Sequence, residues 1–166
     1  MACSCNYVRL QGRPKVMNIQ DEIEALTNFL PIEKIEKLLA NPKRLLPENI
    51  DYIIPSITIG GDGLVLGRLM LVTQLYLCDI AVTDSDKTVN FDFVAKHRIA
   101  NYRVALWQHE IKEAEAVKAT YQLALVRLIH DVAGDLHADL TYAGNEREKW
   151  LQRVVKAIPI PLVLRG

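Results

Sequence analysis

Cysteine is scarce in this 166-residue chain: there are three, and an odd number cannot all pair within one chain. A disulfide framework is not what holds it together. Reduced thiols are expected, and Cys78, inside an apolar run, reads as a small buried hydrophobe. Net charge is also lacking, since twenty Lys and Arg are balanced by twenty Asp and Glu. That balance excludes an acidic or basic tail and a chain-wide pull toward DNA or RNA, so no nucleic-acid partner is expected. Long apolar runs are missing too. The longest, Leu64 to Val82, is broken by Arg68, Gln74 and Asp79 and makes a poor membrane span. The first nine residues hold no apolar core of a secretory signal, and a cytoplasmic protein is the expectation. There is no internal repeat.

Catalytic constellations are absent as well. Gly60, Gly61 and Gly63 lack the Gly-Lys-Ser/Thr ending of a phosphate-cradling loop and the dinucleotide fingerprint, and read as a turn. No Ser stands in a nucleophile-elbow context. Cys3 and Cys5 could supply half a zinc site, but no second ligand pair follows. His109-Glu110 with Glu113 lacks the second His of a helical metalloprotease motif, leaving an exposed charged helix face as the better reading. His130, Asp131, His137 and Asp139 form the richest group of candidate ligands, yet nothing in the pattern fixes their geometry. No enzyme, metal or cofactor is expected, and a metal-dependent enzyme at that hairpin is a remote alternative.

What is present is enough apolar residue, half the chain, to bury a sizeable core. Residues 1–18 read as a polar leader. Residues 19–46 form a helical segment: Ile23, Leu26 and Leu30 share one face over Asp21 to Leu30, with Asp21 and Glu22 placed to suit the helix dipole. Ile32, Ile35, Leu38 and Leu39 continue a second helix until Asn41-Pro42 stops it. From Ser56 the texture turns to strand, with turns at Gly60 to Gly63 and Thr83 to Lys87. Arg68 to Val82 is apolar on both faces, as in a central strand, and Thr88 to Val94 and Arg98 to Trp107 are further strand-like runs.

Gln108 to Ala133 reads two ways. Glu110 to Ala119 uses strong helix formers, while Thr120 to Ile129 suits a buried strand. The preferred reading is a loop or short helix, then a strand, then a turn at His130 to Asp135 and a hairpin partner over Leu136 to Tyr142. A final helix follows, with Asn145 as cap, Glu148 completing a capping box, and Trp150, Leu151, Val154 and Ile158 as its apolar stripe before Pro159.

Several strands followed by one helix carrying a buried Trp resemble the pleckstrin-homology (PH) superfold. The stretch Gly67-Arg68-Leu69-Met70-Leu71-Val72-Thr73-Gln74-Leu75-Tyr76-Leu77-Cys78 is similar to the strand-turn-strand pattern of GRAM domains. The resemblance implies an α+β, mainly β fold over residues 47–160, with a 161–166 tail. It implies a curved antiparallel sheet or partly open barrel, closed at one end by a helix plug of Trp150, Leu151, Val154 and Ile158. The loop Gly60-Gly61-Asp62-Gly63 departs from phosphoinositide-binding members, which place cations there.

The expected function is a non-enzymatic interaction module that binds a protein partner or itself through an open sheet edge and its N-terminal helices. The alternative is an apolar-ligand or lipid carrier using a sheet interior around Leu69, Leu71, Tyr76, Phe91 and Phe93. Arg68, Lys96, Arg98, Arg103, Arg147 and Lys149, with Arg153 and Lys156, are the cations available to an acidic partner or, weakly, a membrane surface.

Overall fold

Alternation of β-branched and small residues turns most of the chain after Asp51 into antiparallel strand, and the pairing follows chain order. The structure, a computed structural model, describes residues 19–46, 49–61, 63–85, 87–130 and 137–159. Two helices, α1 (Ile19–Leu26) and α2 (Ile32–Leu45), precede β1 (Tyr52–Gly60), β2 (Gly63–Val72), β3 (Tyr76–Ala81) and β4 (Phe91–Ala95). A 3-10 turn, Lys96–Arg98, leads into β5 (Ile99–Glu113), β6 (Ala116–His130), β7 (His137–Gly144) and the last helix, α3 (Arg147–Ala157). The strands form one sheet in the order β1-β2-β3-β4 and a second in the order β5-β6-β7. The fold is mainly β, with three helices among the described residues.

Directly opposed residues in antiparallel strands share a face, so the register sorts the first sheet into two surfaces. Ile54, Met70 and Asp79 lie in line with Asp92, and Tyr52, Val72 and Leu77 with Val94. This surface looks toward the second sheet, because Met70, Leu77 and Val94 share a cavity with Leu128 and Ala138. Ile53, Leu71, Cys78 and Phe93 lie in line on the other surface, beside Leu69, Ile80 and Phe91. Leu69, Leu71, Cys78 and Ile80 are fully buried, and the elements left to cover them are α1 and α2, whose Ile23, Leu26, Ile35, Leu38 and Leu39 join the same core. The N-terminal helices thus spend most of their apolar side chains inside the molecule, with Ile32 and Leu45 of α2 left exposed.

The sheets meet where β1 lies beside β7, and the Thr141 amide donates to the Ser56 hydroxyl at 3.3 Å. β1 is an edge strand there, and side chains occupy its outward backbone groups. The Ile53 N–H donates to Glu22 Oε2 at 2.7 Å. The Ile53 carbonyl accepts from Arg153 at 3.4 Å. Pro55 has no N–H, and its carbonyl accepts the Trp150 indole N–H at 3.1 Å. Glu22 and Arg153 also pair with each other, and the guanidinium lies 5.7 Å from the Tyr52 ring centroid. In α3, Trp150 and Val154 are buried and Leu151 is half-buried, and Ile158, just past its end, is buried too, with the Trp150 ring 5.5 Å from that of Tyr142.

Several local expectations are overturned. Asn41-Pro42 does not stop α2, which runs to Leu45 with Pro42 buried inside it: packing of that turn outweighs the one hydrogen bond that proline removes. Glu22 does stand in the first turn of α1, as expected, but there it is a buried carboxylate. Asn145 and Glu148 make no capping box, and helix α3 has no side-chain cap from its own N-cap residue. Instead the Glu146 N–H donates to the Tyr142 hydroxyl at 2.7 Å and the Arg147 N–H to Gln122 Oε1 at 3.3 Å. Gly144 makes room for this, since a Cβ there would stand 2.5 Å from that hydroxyl. Gln108 to Glu113 is neither loop nor helix but the continuation of β5, paired residue by residue with β6.

Breaking a buried ion pair from one side leaves the other charge stranded, whereas removing both charges does not. Glu22→Gln and Arg153→Met are each expected to lower unfolding free energy by about 2 to 4 kcal/mol. The double variant should recover part of that loss. Urea denaturation of the three variants measures it, and purely additive losses would mean that the two side chains act separately.

Candidate functional site

Two features remain after the core is accounted for, and both lie on the side away from β1. The first is a cavity of about 470 Å³ between the sheets, lined by Met70, Leu77, Asp79, Asp92, Phe93, Val94, Ala95, Ile99, Leu128, His130 and Ala138. Its walls are largely apolar. Of the residues expected to form an apolar interior, only Phe93 touches it. Leu69, Leu71, Tyr76 and Phe91 lie on the surface turned toward the helices, and Phe93, of that same parity, reaches the cavity from β4 at the end of the sheet.

Asp79 is held in a two-pronged pair by Arg68, at 2.8 and 2.6 Å. That pairing raises the guanidinium above its ordinary range, so Arg68 is already neutralised by a neighbour rather than displayed to an outside anion. Burial pushes the Cys78 thiol, on the reverse side of β3, up to about 12.

The second feature is the β5–β6 hairpin. β7 pairs with Gln122 to Ile129 of β6, so among the described residues the hairpin beyond Gln122 has two strands and no third. Among the described residues no strand adjoins the outer edge of β5, and every position from Arg103 to Glu110 is exposed. Val104, Leu106 and Trp107 are 50 %, 48 % and 45 % exposed, which is unusual for large apolar side chains so close together on one strand. The hairpin tip places Ala114 at φ 50° and Glu115 at φ 68°. Both lie in the left-handed region that a two-residue turn matched to strand twist requires, without the glycine or asparagine that adopts it cheaply.

The direction of the β5 backbone follows from one contact. Arg147 Nη1 lies 3.0 Å from the Trp107 carbonyl and 3.1 Å from the Leu123 carbonyl. A single nitrogen reaches both only if these opposed residues turn their carbonyls toward each other within the β5–β6 pair. Val104, Leu106, Gln108 and Glu110, alternating with Trp107, then direct their N–H and C=O groups to the open edge.

The expected cations do not gather into one patch of displayed charge. Lys96 donates to the Thr73 carbonyl at 3.0 Å, Arg147 to the two carbonyls above, and Lys149 pairs with Glu146 at 3.2 Å. Arg98 and Arg103 are exposed, and Arg103 sits on β5 at the start of the open stretch. Lys156 is exposed on α3, whereas Arg153 is drawn inward. His109, Glu110 and Glu113 lie on a strand, not on a helix face. His130 lines the cavity, while Asp139 is bound by Arg127 at 2.9 and 3.1 Å. Cys3, Cys5, Asp62, Asp131 and the His137 side chain lie outside the described residues. Among the described residues no group of three or more His, Cys, Asp or Glu is placed to hold a metal ion, and no helix is long and apolar enough to cross a membrane.

Comparison with known proteins returns no matching family model, no matching curated protein and no matching solved structure. The site therefore has to be read from its own chemistry.

A thiol with its acidity pushed to about 12 is almost entirely protonated at pH 8, and only the thiolate attacks an alkylating reagent. Cys78 is expected to resist iodoacetamide in the native protein at pH 8 and to react fully in denaturant, read by mass spectrometry of the peptide that carries it. Rapid native labelling would mean that α1 and α2 do not cover that face.

Proposed function

We propose that this protein is a non-enzymatic interaction module of PH-like type, working through the outer edge of β5. The observation that carries the reading is the run Val104 to Gln108, exposed on both faces and unpaired along one edge among the described residues. Soluble domains ordinarily blunt such an edge with proline, inward charge or a covering segment. This run holds none of the first two, and large apolar side chains stand in their place. An incoming extended segment would gain main-chain hydrogen bonds along the even-numbered positions, and contacts with Leu106 and Trp107 would select it. The PH-like part of the proposal draws support from the order of four strands, three strands and a closing helix, with Trp150 packed at the junction of β1 and β7. The acidic β1–β2 loop and the neutralised Arg68 argue for protein rather than phosphoinositide as the partner.

A photoreactive amino acid at the exposed position Ala105 is expected to give a discrete cross-linked species in cells, and the same group at the exposed Glu36 of α2 is not. Equal yields at the two positions, or none at either, would remove the edge as the working surface.

The cavity favours a second reading, an apolar ligand held between the sheets, because 470 Å³ with an apolar lining suits a small hydrophobic molecule. Native mass spectrometry after gentle purification should then give a mass above that of the chain which Met70→Trp abolishes. A bare chain mass in both proteins removes this reading.

A further inference from the structure

The β5 edge has a polarity of its own. One basic residue, Arg103, precedes the apolar stretch, and a net acidic group, Glu110 and Glu113 with Lys112 between them and 3.9 Å from Glu110, follows it. Between them, Val104 to His109 carries no fixed charge. A strand of this kind is its own complement only when a second copy runs in the opposite direction, because parallel alignment sets Arg103 on Arg103 and acid on acid. We propose that the β5 edge pairs antiparallel with the β5 edge of a second copy of this chain, about a two-fold axis through Gln108. The inference rests on the interaction-module reading above and names its partner.

The register follows from symmetry and chemistry together. A two-fold axis exchanging antiparallel strands stands normal to the sheet and passes between a residue and its own copy, so each residue faces another of the same parity. Among axes placed within Val104 to His109, the one at Gln108 sets Arg103 opposite Glu113 of the second copy. A Leu106 axis gives Arg103 a histidine, a Trp107 axis gives it Ile111, and a His109 axis gives it Glu115 of the hairpin turn.

With the axis at Gln108, two more matches follow. Trp107 faces His109 of the second copy, an aromatic pair formed twice. Gln108 meets its own copy through side-chain amides that can donate and accept together. The even-numbered residues, whose backbone groups point outward, form the hydrogen-bonded pairs. Arg103–Glu113 and Trp107–His109 then occupy the more closely spaced pairs, where side chains couple best. Glu113 already pairs with Lys118 at 2.9 Å, with both side chains about two-thirds exposed. Two carboxylate oxygens leave room for a second cation. The product is one continuous six-stranded sheet, within the usual range for sheet size, built from an isologous contact that closes and cannot propagate into a fibre.

The test is a charge exchange followed by sedimentation velocity on the full chain over roughly 1 to 200 micromolar. The unaltered protein should pass from the 18.8 kDa monomer to a dimer within that range. Arg103→Glu and Glu113→Arg, each alone, should raise the dissociation constant roughly tenfold by opposing like charges at two symmetric places. The double variant Arg103→Glu/Glu113→Arg should return it to within about threefold of the original. Both positions of the cycle are exposed, so circular dichroism should be unchanged throughout. A protein that stays monomeric over the whole range, or a double variant no tighter than the singles, overturns the second copy as partner. A monomer that still cross-links at position 105 in cells sinks this inference while leaving the interaction module standing, whereas loss of both removes the module as well.

Discussion

The fold hangs on how β1 is finished. An edge strand presents a row of backbone donors and acceptors that must find water or partners, and here they are met by side chains from opposite ends of the chain. Glu22 comes from α1, and Trp150 and Arg153 from α3, and all three converge on Ile53 and Pro55. Proline at position 55 has no N–H to satisfy, and its carbonyl is met by the Trp150 indole. The Glu22–Arg153 pair joins the two helices across the strand. Burying such a pair is costly on its own, but each group also bonds the β1 backbone, and the guanidinium gains the face of Tyr52. Burial pulls Arg153 below its ordinary range, the opposite of what the exposed-face role expected of it would require.

Closing that side of the molecule leaves the other side open. With β1 set beside β7, the remaining edges are β4 and β5, and β4 is only five residues long against fifteen for β5. The short strand cannot cover the long one. The cavity opens between them, and the outer half of the hairpin continues past the end of the sheet that would shield it. Val104 and Leu106 lie in register with Val126 and Ala124, which are buried. They belong to the inward surface of the second sheet, extended one strand beyond the cover. Their exposure is thus a consequence of strand lengths rather than of unusual side chains.

Much of this was legible in the residues. Period-two alternation marks the strands, the turn chemistry at Gly60 to Gly63 marks the first hairpin, and the stripe of Trp150, Val154 and Ile158 marks the buried face of α3. What was not legible depends on distant partners. Glu22 looks like a first-turn acid until Ile53 and Arg153 are brought to it, and nothing local distinguishes the two roles. Glu110 to Ala119 has helical propensity, but fourteen matched positions between β5 and β6 override preferences of a few tenths of a kcal/mol per residue. Leu69 and Leu71 turn toward the helices rather than the cavity, which the residues could not show, because β2 and β3 are apolar on both faces and pattern alone cannot say which looks where. The open β5 edge had a weak signal, an uncharged apolar run between Arg103 and Glu110, hidden by the ambiguity over whether the second half of that segment was strand at all.

The hairpin tip bears on why this edge exists. Left-handed conformations at Ala114 and Glu115 cost roughly 1 to 2 kcal/mol each for residues with a Cβ. Among the described residues the two strands leading to the tip have no third neighbour beyond Gln122, and an isolated two-stranded ribbon is marginal in water. A chain selected only for stability would shorten this hairpin or place glycine at its turn. Instead the ribbon keeps its length, its strained turn, a run of exposed apolar side chains and an outward row of backbone groups. Anchoring of Trp107 and Leu123 by Arg147 ties the base of the ribbon to α3, so the edge is offered as a prepositioned strand. Prepositioning lowers the ordering cost of association, and it gives a thermodynamic reason for a costly ribbon that folding alone does not supply.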